Sequence, residues 1–216
     1  MNKLQTQLLT DTWVAVSWDE YIVAINQPHL ENAKGYYDNG QSRIEMSPVG
    51  FDHASDNTII LFAVNLFCTL KNISIRGLTN CSYRKTGVRE CQPDVSYYVG
   101  ERAKLAIKGT SVIDLDNYPA PELVIEIAST SLADDLGKKR LLYEAMNVAE
   151  YWVVDVQNAQ IVALAISDGG SKRIYQSQVL PLLEMTLLEE TLQRSRQMDN
   201  TQVGAWLTAN LQNEIK

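Results

Sequence analysis

One glutamate lies in the middle of an otherwise apolar segment. The segment "LVIEIA" at 123–128 has the composition of a strand that is buried on both faces. Alternate side chains of an extended chain point to opposite faces, so Glu126 would enter a layer that it shares with Val124 and Ala128. An unpaired ionised carboxylate in that layer would cost several kcal/mol. We therefore expect Glu126 to be protonated, paired with a cation or bound to a metal.

The segment that follows offers a lysine as a partner. Between Leu132 and Met146 one predicted helical stripe is apolar except for Lys139 and Tyr143, which lie one turn apart. A lysine on the buried face of this helix, directly after the strand, predicts that Lys139 and Glu126 are neighbours. A buried salt bridge without catalytic duty is an equally open interpretation at this point.

Asp94 supplies a second carboxylate. It directly follows Pro93 and opens another predicted strand, which places it at a strand end or edge. If that strand lies beside the one that carries Glu126, two carboxylates and one ammonium would leave an excess of negative charge at a site that is partly shielded from water. A hard divalent cation with oxygen ligands is the natural complement of such a site.

The composition predicts one domain that spans 1–216. The chain has 216 residues, of which 45% are hydrophobic, and this suffices for one substantial core. Residues 1–10 and 197–216 are expected to be peripheral termini. Strand, helix and strand follow one another over 123–155, which predicts a crossover unit in a mixed sheet flanked by helices. The predicted fold class is α/β or α+β.

Turn and periodicity signals predict the remaining elements. "DNG" at 38–40 and "DGG" at 168–170 predict hairpins, and Ser17 has the character of a helix start. Apolar spacing over 52–70 predicts a long helix packed on the sheet. We interpret the segment before Asp94 as a loop, and two short helices are expected in the tail.

Charge and cysteine usage limit the function classes. The net charge of −7 works against non-specific attraction to phosphate backbones, so a nucleic-acid role needs a local basic patch or a bound cation. The best patch is the segment that contains Tyr83, Arg84, Lys85 and Arg89, although a solvated loop explains the same residues. The three cysteines lack the spacing of a disulfide framework or zinc site. With no signal peptide or membrane span in the sequence, we expect a soluble cytoplasmic protein without a membrane partner.

Several motifs together resemble a known nuclease family. "PDV" at 93–95, "LVIEIAS" at 123–129, "DLGKKRLLY" at 135–143 and "EYWVVD" at 150–155 are similar to the Uma-two family. That family is described as restriction endonucleases and belongs to the PD-(D/E)XK nuclease superfamily. The similarity runs from about Ser17 to the carboxyl end, and "RIEMSPVGFDH" at 43–53 resembles the amino-terminal segment of the family. The resemblance implies a restriction-endonuclease-like fold.

The resemblance also implies a set of roles. Asp94 and Glu126 become the metal-binding carboxylates, joined by the backbone carbonyl of Ile127, and Lys139 becomes the superfamily lysine. The implied reaction is the hydrolysis of DNA phosphodiester bonds by water activated on Mg²⁺ or Mn²⁺. A bacterial, cytoplasmic homodimer is the expected setting.

The sequence departs from the superfamily pattern at two places. Ala128 occupies the position two residues after Glu126 where the superfamily formula has lysine, and Lys139 on the following helix is expected to replace it. Many relatives have an acidic residue directly after the hairpin glycine, whereas Gln41 stands here. We expect Glu45 to substitute for that acid.

Three further residues are expected to support the site. Tyr143 and Asp135 are candidates for groups that orient the site residues, and an ordinary core tyrosine and a favourable acid in a first helical turn are their alternatives. His53 is a candidate phosphate contact or proton shuttle, with a structural histidine as the alternative. A catalytically inactive binding or assembly protein of the same fold is the main rival function. A hydrolase of another phosphorylated substrate also stays open.

Overall fold

The computed structural model describes residues 9–46, 49–105, 107, 109 and 112–213. Contacts divide the chain into two compact units, each with one six-stranded sheet. The first unit takes in the described residues of 1–49, 81–92 and 109–119, and the second takes in those of 50–80, 93–108 and 120–216. The single domain over 1–216 stays a prediction, and most of the expected peripheral segment 1–10 lies outside the described residues.

The described residues include the following strands and helices. The strands are β1 (Val14–Ala15), β2 (Lys34–Asp38), β3 (Gln41–Glu45), β4 (Ile75–Thr79), β5 (Tyr83–Lys85), β6 (Arg89–Cys91), β7 (Val95–Val99), β8 (Ile113–Asp114), β9 (Leu123–Ala128), β10 (Glu150–Asp155), β11 (Gln160–Ser167) and β12 (Gly170–Ile174). The α-helices are α1 (Trp18–Ile25), α2 (Phe51–Leu70), α3 (Leu132–Asp134), α4 (Arg140–Ala145), α5 (Met185–Ser195) and α6 (Asn200–Asn213). Short 3₁₀ turns cover Pro28–Leu30 and Gly100–Lys104, and a π-helical segment covers Asp135–Lys139.

The first unit contains a sheet with the strand order β1-β3-β2-β6-β5-β8. The predicted hairpin is confirmed, because β2 and β3 pair around Asn39 and Gly40, whose φ angles are 44° and 90°. Both angles are positive, as a two-residue hairpin turn requires. The predicted helix start is also confirmed. Ser17 caps α1 and forms a reciprocal capping box with Glu20.

The segment 81–92 is a hairpin, so its interpretation as a loop was wrong. Strands β5 and β6 pair antiparallel, with Arg84 directly opposite Glu90. The Arg84 Nε and Glu90 Oε2 atoms are 2.5 Å apart, so the charges that made the segment look like a solvated loop neutralise each other across the ladder. Tyr83 and Cys91, which are also opposite each other, are buried.

The second unit contains a sheet with the strand order β12-β11-β10-β9-β7-β4. Strand β9 lies inside this sheet, parallel to β10 and antiparallel to β7. Every residue of β9 and β10 is buried. The chain crosses from β9 to β10 through α3, the π-helical segment and α4, so the predicted crossover unit in a mixed sheet is confirmed.

The two faces of β9 have different surroundings. Leu123, Ile125 and Ile127 belong to the main core together with residues of α2, α5 and α6. The long helix predicted over 52–70 is thereby confirmed, and the three residues share one face because strand side chains alternate. Glu126 faces the other side, towards the crossover helices. Residues 197–216 were expected at the periphery, yet α6 contributes buried residues to the same core, namely Val203, Leu207 and Leu211.

The helix predicted after β9 is not a continuous α-helix. The π-helical segment separates α3 from α4, and Gly137 within it has φ −104° and ψ −105°, outside the helical region. The helix is kinked at Gly137, and the apolar pattern of the sequence did not reveal this interruption. Lys139 and Tyr143 are nevertheless both buried, as the predicted apolar stripe requires.

The three cysteines are free, as their spacing predicted. Burial raises the pKa of the Cys68 thiol to about 12.

Within the described ranges, no helix is both long enough and apolar enough to cross a membrane.

An ion pair between Arg196 and a buried carboxylate, Asp56, ties α2 to the end of α5. Arg196 donates through both terminal nitrogens to the Asp56 carboxylate, at 2.5 and 2.6 Å, and also to the carbonyl of Val156 at 3.0 Å. Asp56 is fully buried. Desolvation raises the pKa of Asp56, and the hydrogen bonds from Arg196 act in the opposite direction. The pair fixes the half of α2 that carries His53.

We expect Arg196→Ala to lower the free energy of unfolding by about 2 to 3 kcal/mol, because Asp56 would remain buried without its partner. Urea denaturation measures this loss. Arg194→Ala on α5 removes a partly exposed pair with Glu190 and a contact with the Trp206 ring, and should cost about 1 kcal/mol. Equal losses in the two variants would contradict the assigned importance of the Asp56 pair.

Candidate active site

Asp94 and Glu126 meet where the ladder between β7 and β9 ends. The last paired residues are Val95 and Ile125, and Asp94 directly precedes β7. The Asp94 Oδ2 atom accepts a hydrogen bond from the Ile127 amide at 2.8 Å, and the Asp94 amide donates to Glu126 Oε2 at 3.4 Å. The Asp94 side chain thus replaces a backbone acceptor beyond the end of the ladder. Both carboxylates are buried.

Tyr143 is the residue of the crossover helix that contacts Glu126. Its hydroxyl donates to the Glu126 Oε1 atom at 2.6 Å, and its side chain is completely buried. Hydrogen bonds to a charged acceptor are short and strong, so this contact holds one Glu126 oxygen in a defined direction. Tyr143 therefore contacts a predicted site carboxylate. Its role in orienting the site residues stays a prediction.

Lys139 is buried and forms an ion pair with Asp135. The Lys139 Nζ and Asp135 Oδ1 atoms are 2.9 Å apart, and both side chains are at most 2% exposed. The Ser131 hydroxyl donates to the second Asp135 oxygen at 2.6 Å. Asp135 is therefore more than an acid in a first helical turn, because it holds the ammonium group. The neighbouring Lys138 is exposed.

Tyr151 belongs to this cluster although its sequence pattern was overlooked. It lies on β10 opposite Val124, and its hydroxyl donates to the Asp135 carbonyl at 2.9 Å. Its ring packs against the Tyr143 ring with the centroids 4.7 Å apart. Strand alternation could have found it, because β10 lies parallel to β9 and Val124 is on the face of Glu126.

The surroundings of Tyr151 shift the pKa of its hydroxyl. Burial raises the pKa of the Tyr151 hydroxyl well above its ordinary value, and nearby carboxylates, first Asp135 and then Glu126, raise it further. The hydroxyl therefore keeps its proton and acts as a donor.

His53 reaches the same cluster from the amino end of α2. Its Nε2 atom is 3.3 Å from Asp94 Oδ2. The Nδ1 atom is buried and has no hydrogen-bond partner among the described residues. The histidine therefore contacts a predicted site carboxylate, and its role as a phosphate contact or proton shuttle stays a prediction.

Glu45 lies in the first unit, whereas the residues described above belong to the second. It forms an ion pair with Arg43 at 2.8 Å. Its role as a substitute acid stays a prediction.

The predicted nucleic-acid residues also lie in the first unit. Arg84 pairs with Glu90, and its guanidinium carbon lies 5.7 Å from the centroid of the Trp18 ring. Arg89 pairs with Asp38 at 2.9 Å, and Lys85 is exposed. A role of these three residues in nucleic-acid binding stays a prediction, and the two arginine charges are partly compensated by acids of the same unit.

The donors at the centre of the cluster fit a hard divalent cation. Both are carboxylates, and Mg²⁺ is commonly held by one or two carboxylates together with water and substrate phosphate. In the described part of the chain, no group of three or more histidine, cysteine, aspartate or glutamate side chains is placed to hold a metal. A metal at Asp94 and Glu126 stays a prediction, and an ion held by these two carboxylates would need water or substrate to complete its coordination.

The fold of this chain is similar to that of a solved structure. A solved structure from Anabaena variabilis ATCC 29413, described as a putative nuclease belonging to DUF820, matches with a TM-score of 0.57 at 17% identity. The match covers 82% of this chain and 99% of the other. It shows that the two chains share a mixed α/β fold, as the sequence predicted.

The sequence comparison supplies the family. The family described as "Uma2: Putative restriction endonuclease" matches residues 18–201. The chain therefore belongs to the Uma2 family, and the predicted membership is confirmed. A search of curated proteins found no match.

We expect Lys139→Met to lower the free energy of unfolding by about 3 kcal/mol or more, because the buried Asp135 carboxylate loses its counter-charge. Lys138→Met at the exposed neighbouring position should cost less than about 0.5 kcal/mol. Urea denaturation of both variants makes this comparison. The double variant Asp135→Asn, Lys139→Met should recover part of the loss, and strict additivity of the two changes would contradict the ion pair.

Proposed function

We propose that the chain is a metal-dependent endonuclease that hydrolyses phosphodiester bonds of DNA. The observation that carries this proposal is the meeting of Asp94 and Glu126 at the end of the β7–β9 ladder. The Asp94 amide donates to Glu126, and the Asp94 carboxylate accepts from the Ile127 amide. Two buried carboxylates this close together repel each other unless a positive charge lies nearby. Membership of a family described as restriction endonucleases supports the choice of nuclease over other metal-dependent hydrolases.

Asp94 and Glu126, with the carbonyl of Ile127, would hold Mg²⁺ or Mn²⁺. A bound ion of this type supplies a water of lowered pKa and polarises the phosphate that is attacked. The arrangement of the protein donors prepares the site, because the Ile127 amide and the Tyr143 hydroxyl each fix one carboxylate oxygen. Preorganised ligands avoid the cost of reorientation during the reaction.

Lys139, Asp135 and His53 would stabilise charge on the substrate or orient the groups that bind it. The Lys139 ammonium would stabilise the negative charge that develops on the phosphate, and Asp135 keeps that ammonium in place. His53 touches Asp94 and would orient it or contact a phosphate oxygen. In this scheme Lys139 and His53 are the positive or potentially positive groups beside the carboxylates.

The substrate must be attracted locally because the chain as a whole carries a net charge of −7. We assign this attraction to the metal and to the basic side chains of β5 and β6, of which Lys85 is exposed. The proposal includes a homodimer as the active form. Sedimentation of the purified chain measures that oligomeric state.

A catalytically inactive binding or assembly protein is the second candidate. The observation in its favour is that the described residues hold no group of three or more metal-ligating side chains. Such a protein would retain the buried carboxylates only as parts of its hydrogen-bonded core.

We expect the purified chain to nick or cleave plasmid DNA in Mg²⁺ or Mn²⁺ and to lose this activity in EDTA. Asp94→Asn and Glu126→Gln keep the size of each side chain and remove its charge, so each should lower the rate about 100-fold or more. Gel electrophoresis of plasmid at increasing times measures the rates.

Glu122→Gln is the matched control for these substitutions. Glu122 directly precedes β9, contacts the Val99 amide and Arg102, and lies outside the cluster. Its substitution should leave the cleavage rate within about threefold of the wild type, as is typical of changes away from the reacting groups. Undiminished activity of both Asp94→Asn and Glu126→Gln would refute the assignment of the metal ligands.

Calorimetric titration with Mn²⁺ distinguishes the two candidate functions. The nuclease should bind Mn²⁺ with at least millimolar affinity, and Glu126→Gln should weaken this binding about tenfold or more, because the ion loses one charged ligand. Absence of binding in the wild-type chain would favour the binding or assembly protein.

A further inference from the structure

The two tyrosines of the cluster connect its carboxylates to the segment that carries Lys139. Tyr143 donates to the Glu126 carboxylate at 2.6 Å, and Tyr151 donates to the Asp135 carbonyl at 2.9 Å. Their rings are in contact, and both side chains are completely buried. A continuous contact path therefore runs from Glu126 through the two rings to the backbone of Asp135.

Asp135 is the first residue of the π-helical segment, and Lys139 is the last. Their side chains form the buried ion pair, so the position of the Lys139 ammonium depends on where the Asp135 backbone lies. Tyr151 is on strand β10, whose register with β9 is set by the sheet. The hydroxyl of Tyr151 thus ties an irregular helical segment to the rigid sheet that carries Glu126.

We propose that Tyr151 is a positioning residue that sets the place of the Lys139 ammonium relative to the Glu126 carboxylate. The inference rests on the proposed nuclease function for its catalytic consequence, and it assigns the two tyrosines separate tasks. Tyr143 acts on the carboxylate, and Tyr151 acts on the lysine through the Asp135 backbone.

The surroundings of Tyr151 make its hydroxyl suited to this task. The group is buried among carboxylates that keep it protonated, so it remains a donor to the Asp135 carbonyl. Loss of the Tyr151 hydroxyl would remove one of the contacts that hold the buried Asp135 backbone, so the segment that carries Lys139 would be held less firmly. Displacements of about 1 Å in a positioning group can cost a large factor in rate.

Tyr151→Phe, Tyr143→Phe and Tyr97→Phe form a matched set of variants. Each removes one oxygen from a buried tyrosine and leaves its ring in place, so the fold is expected to survive, and circular dichroism checks this. Tyr97 is the control because it lies on β7 in the main core, where its hydroxyl reaches the Leu61 carbonyl at 3.5 Å.

The kinetic test separates the two tasks. Tyr151→Phe should lower the kcat of plasmid cleavage about tenfold or more, with KM and Mn²⁺ affinity unchanged. Tyr143→Phe should instead weaken Mn²⁺ binding about tenfold, because it frees the Glu126 carboxylate. Tyr97→Phe should change neither quantity. A loss of Mn²⁺ affinity in Tyr151→Phe that matched its loss of kcat would overturn the proposal.

A second measurement does not depend on nuclease activity. Brief acetylation with acetic anhydride, followed by mass spectrometry, reports the accessibility of the Lys139 amine relative to the exposed Lys138 amine. The ratio should rise about threefold or more in Tyr151→Phe and stay constant in Tyr97→Phe, because only the first releases the π-helical segment.

The two measurements distinguish a failure of the proposed nuclease function from a failure of the positioning role of Tyr151. If the wild-type chain cleaves no DNA, the nuclease function fails, and the acetylation ratio alone then decides whether Tyr151 positions Lys139. An acetylation ratio that is equal in Tyr151→Phe and Tyr97→Phe would overturn the positioning role, whatever the activity of the wild type.

Discussion

The burial of the Glu126 carboxylate inside an otherwise apolar strand is the constraint on which the cluster depends. Desolvation of a charged group is costly, so a carboxylate at this depth requires donors and counter-charge around it. The Asp94 amide and the Tyr143 hydroxyl supply the donors. Each comes from a different element, and the end of β7 and the crossover helix are therefore held at defined positions beside β9.

Three carboxylic side chains and one lysine are buried in this cluster. Asp94, Glu126 and Asp135 are all buried, whereas Lys139 is the buried ammonium that pairs with Asp135. His53 adds a positive charge beside Asp94 only when it is protonated. Hydrophobic residues of similar size often give equal or greater stability than buried ionic groups, so an arrangement of this kind is more readily explained by function than by stability. In the proposed function, a cation bound by Asp94 and Glu126 would add positive charge beside these carboxylates.

Local signals in the sequence predicted much of the framework. Asn39-Gly40 and Asp168-Gly169 specify two-residue turns through backbone angles that few other residues adopt, and both hairpins form. The apolar composition of β9 and β10 predicted buried neighbouring strands. The hairpin of β5 and β6 was missed because its charges are neutralised between strands, which the composition of one segment does not reveal. The kink at Gly137 was missed because Lys139 and Tyr143, which follow it, keep the buried positions that a continuous helix predicts.

The sequence by itself determined which residues needed partners. A glutamate within "LVIEIA" and a lysine on an apolar stripe cannot be buried alone, and this follows from solvation energetics without knowledge of the fold. Only the tertiary structure decided which partners they have, because residues distant along the chain compete for the same donors. Lys139 pairs with Asp135, and Glu126 accepts hydrogen bonds from the Tyr143 hydroxyl and the Asp94 amide. The Tyr151 hydroxyl donates from β10 to the Asp135 carbonyl. These contacts depend on strand register and on the path of the crossover, which are set by packing over the whole second unit.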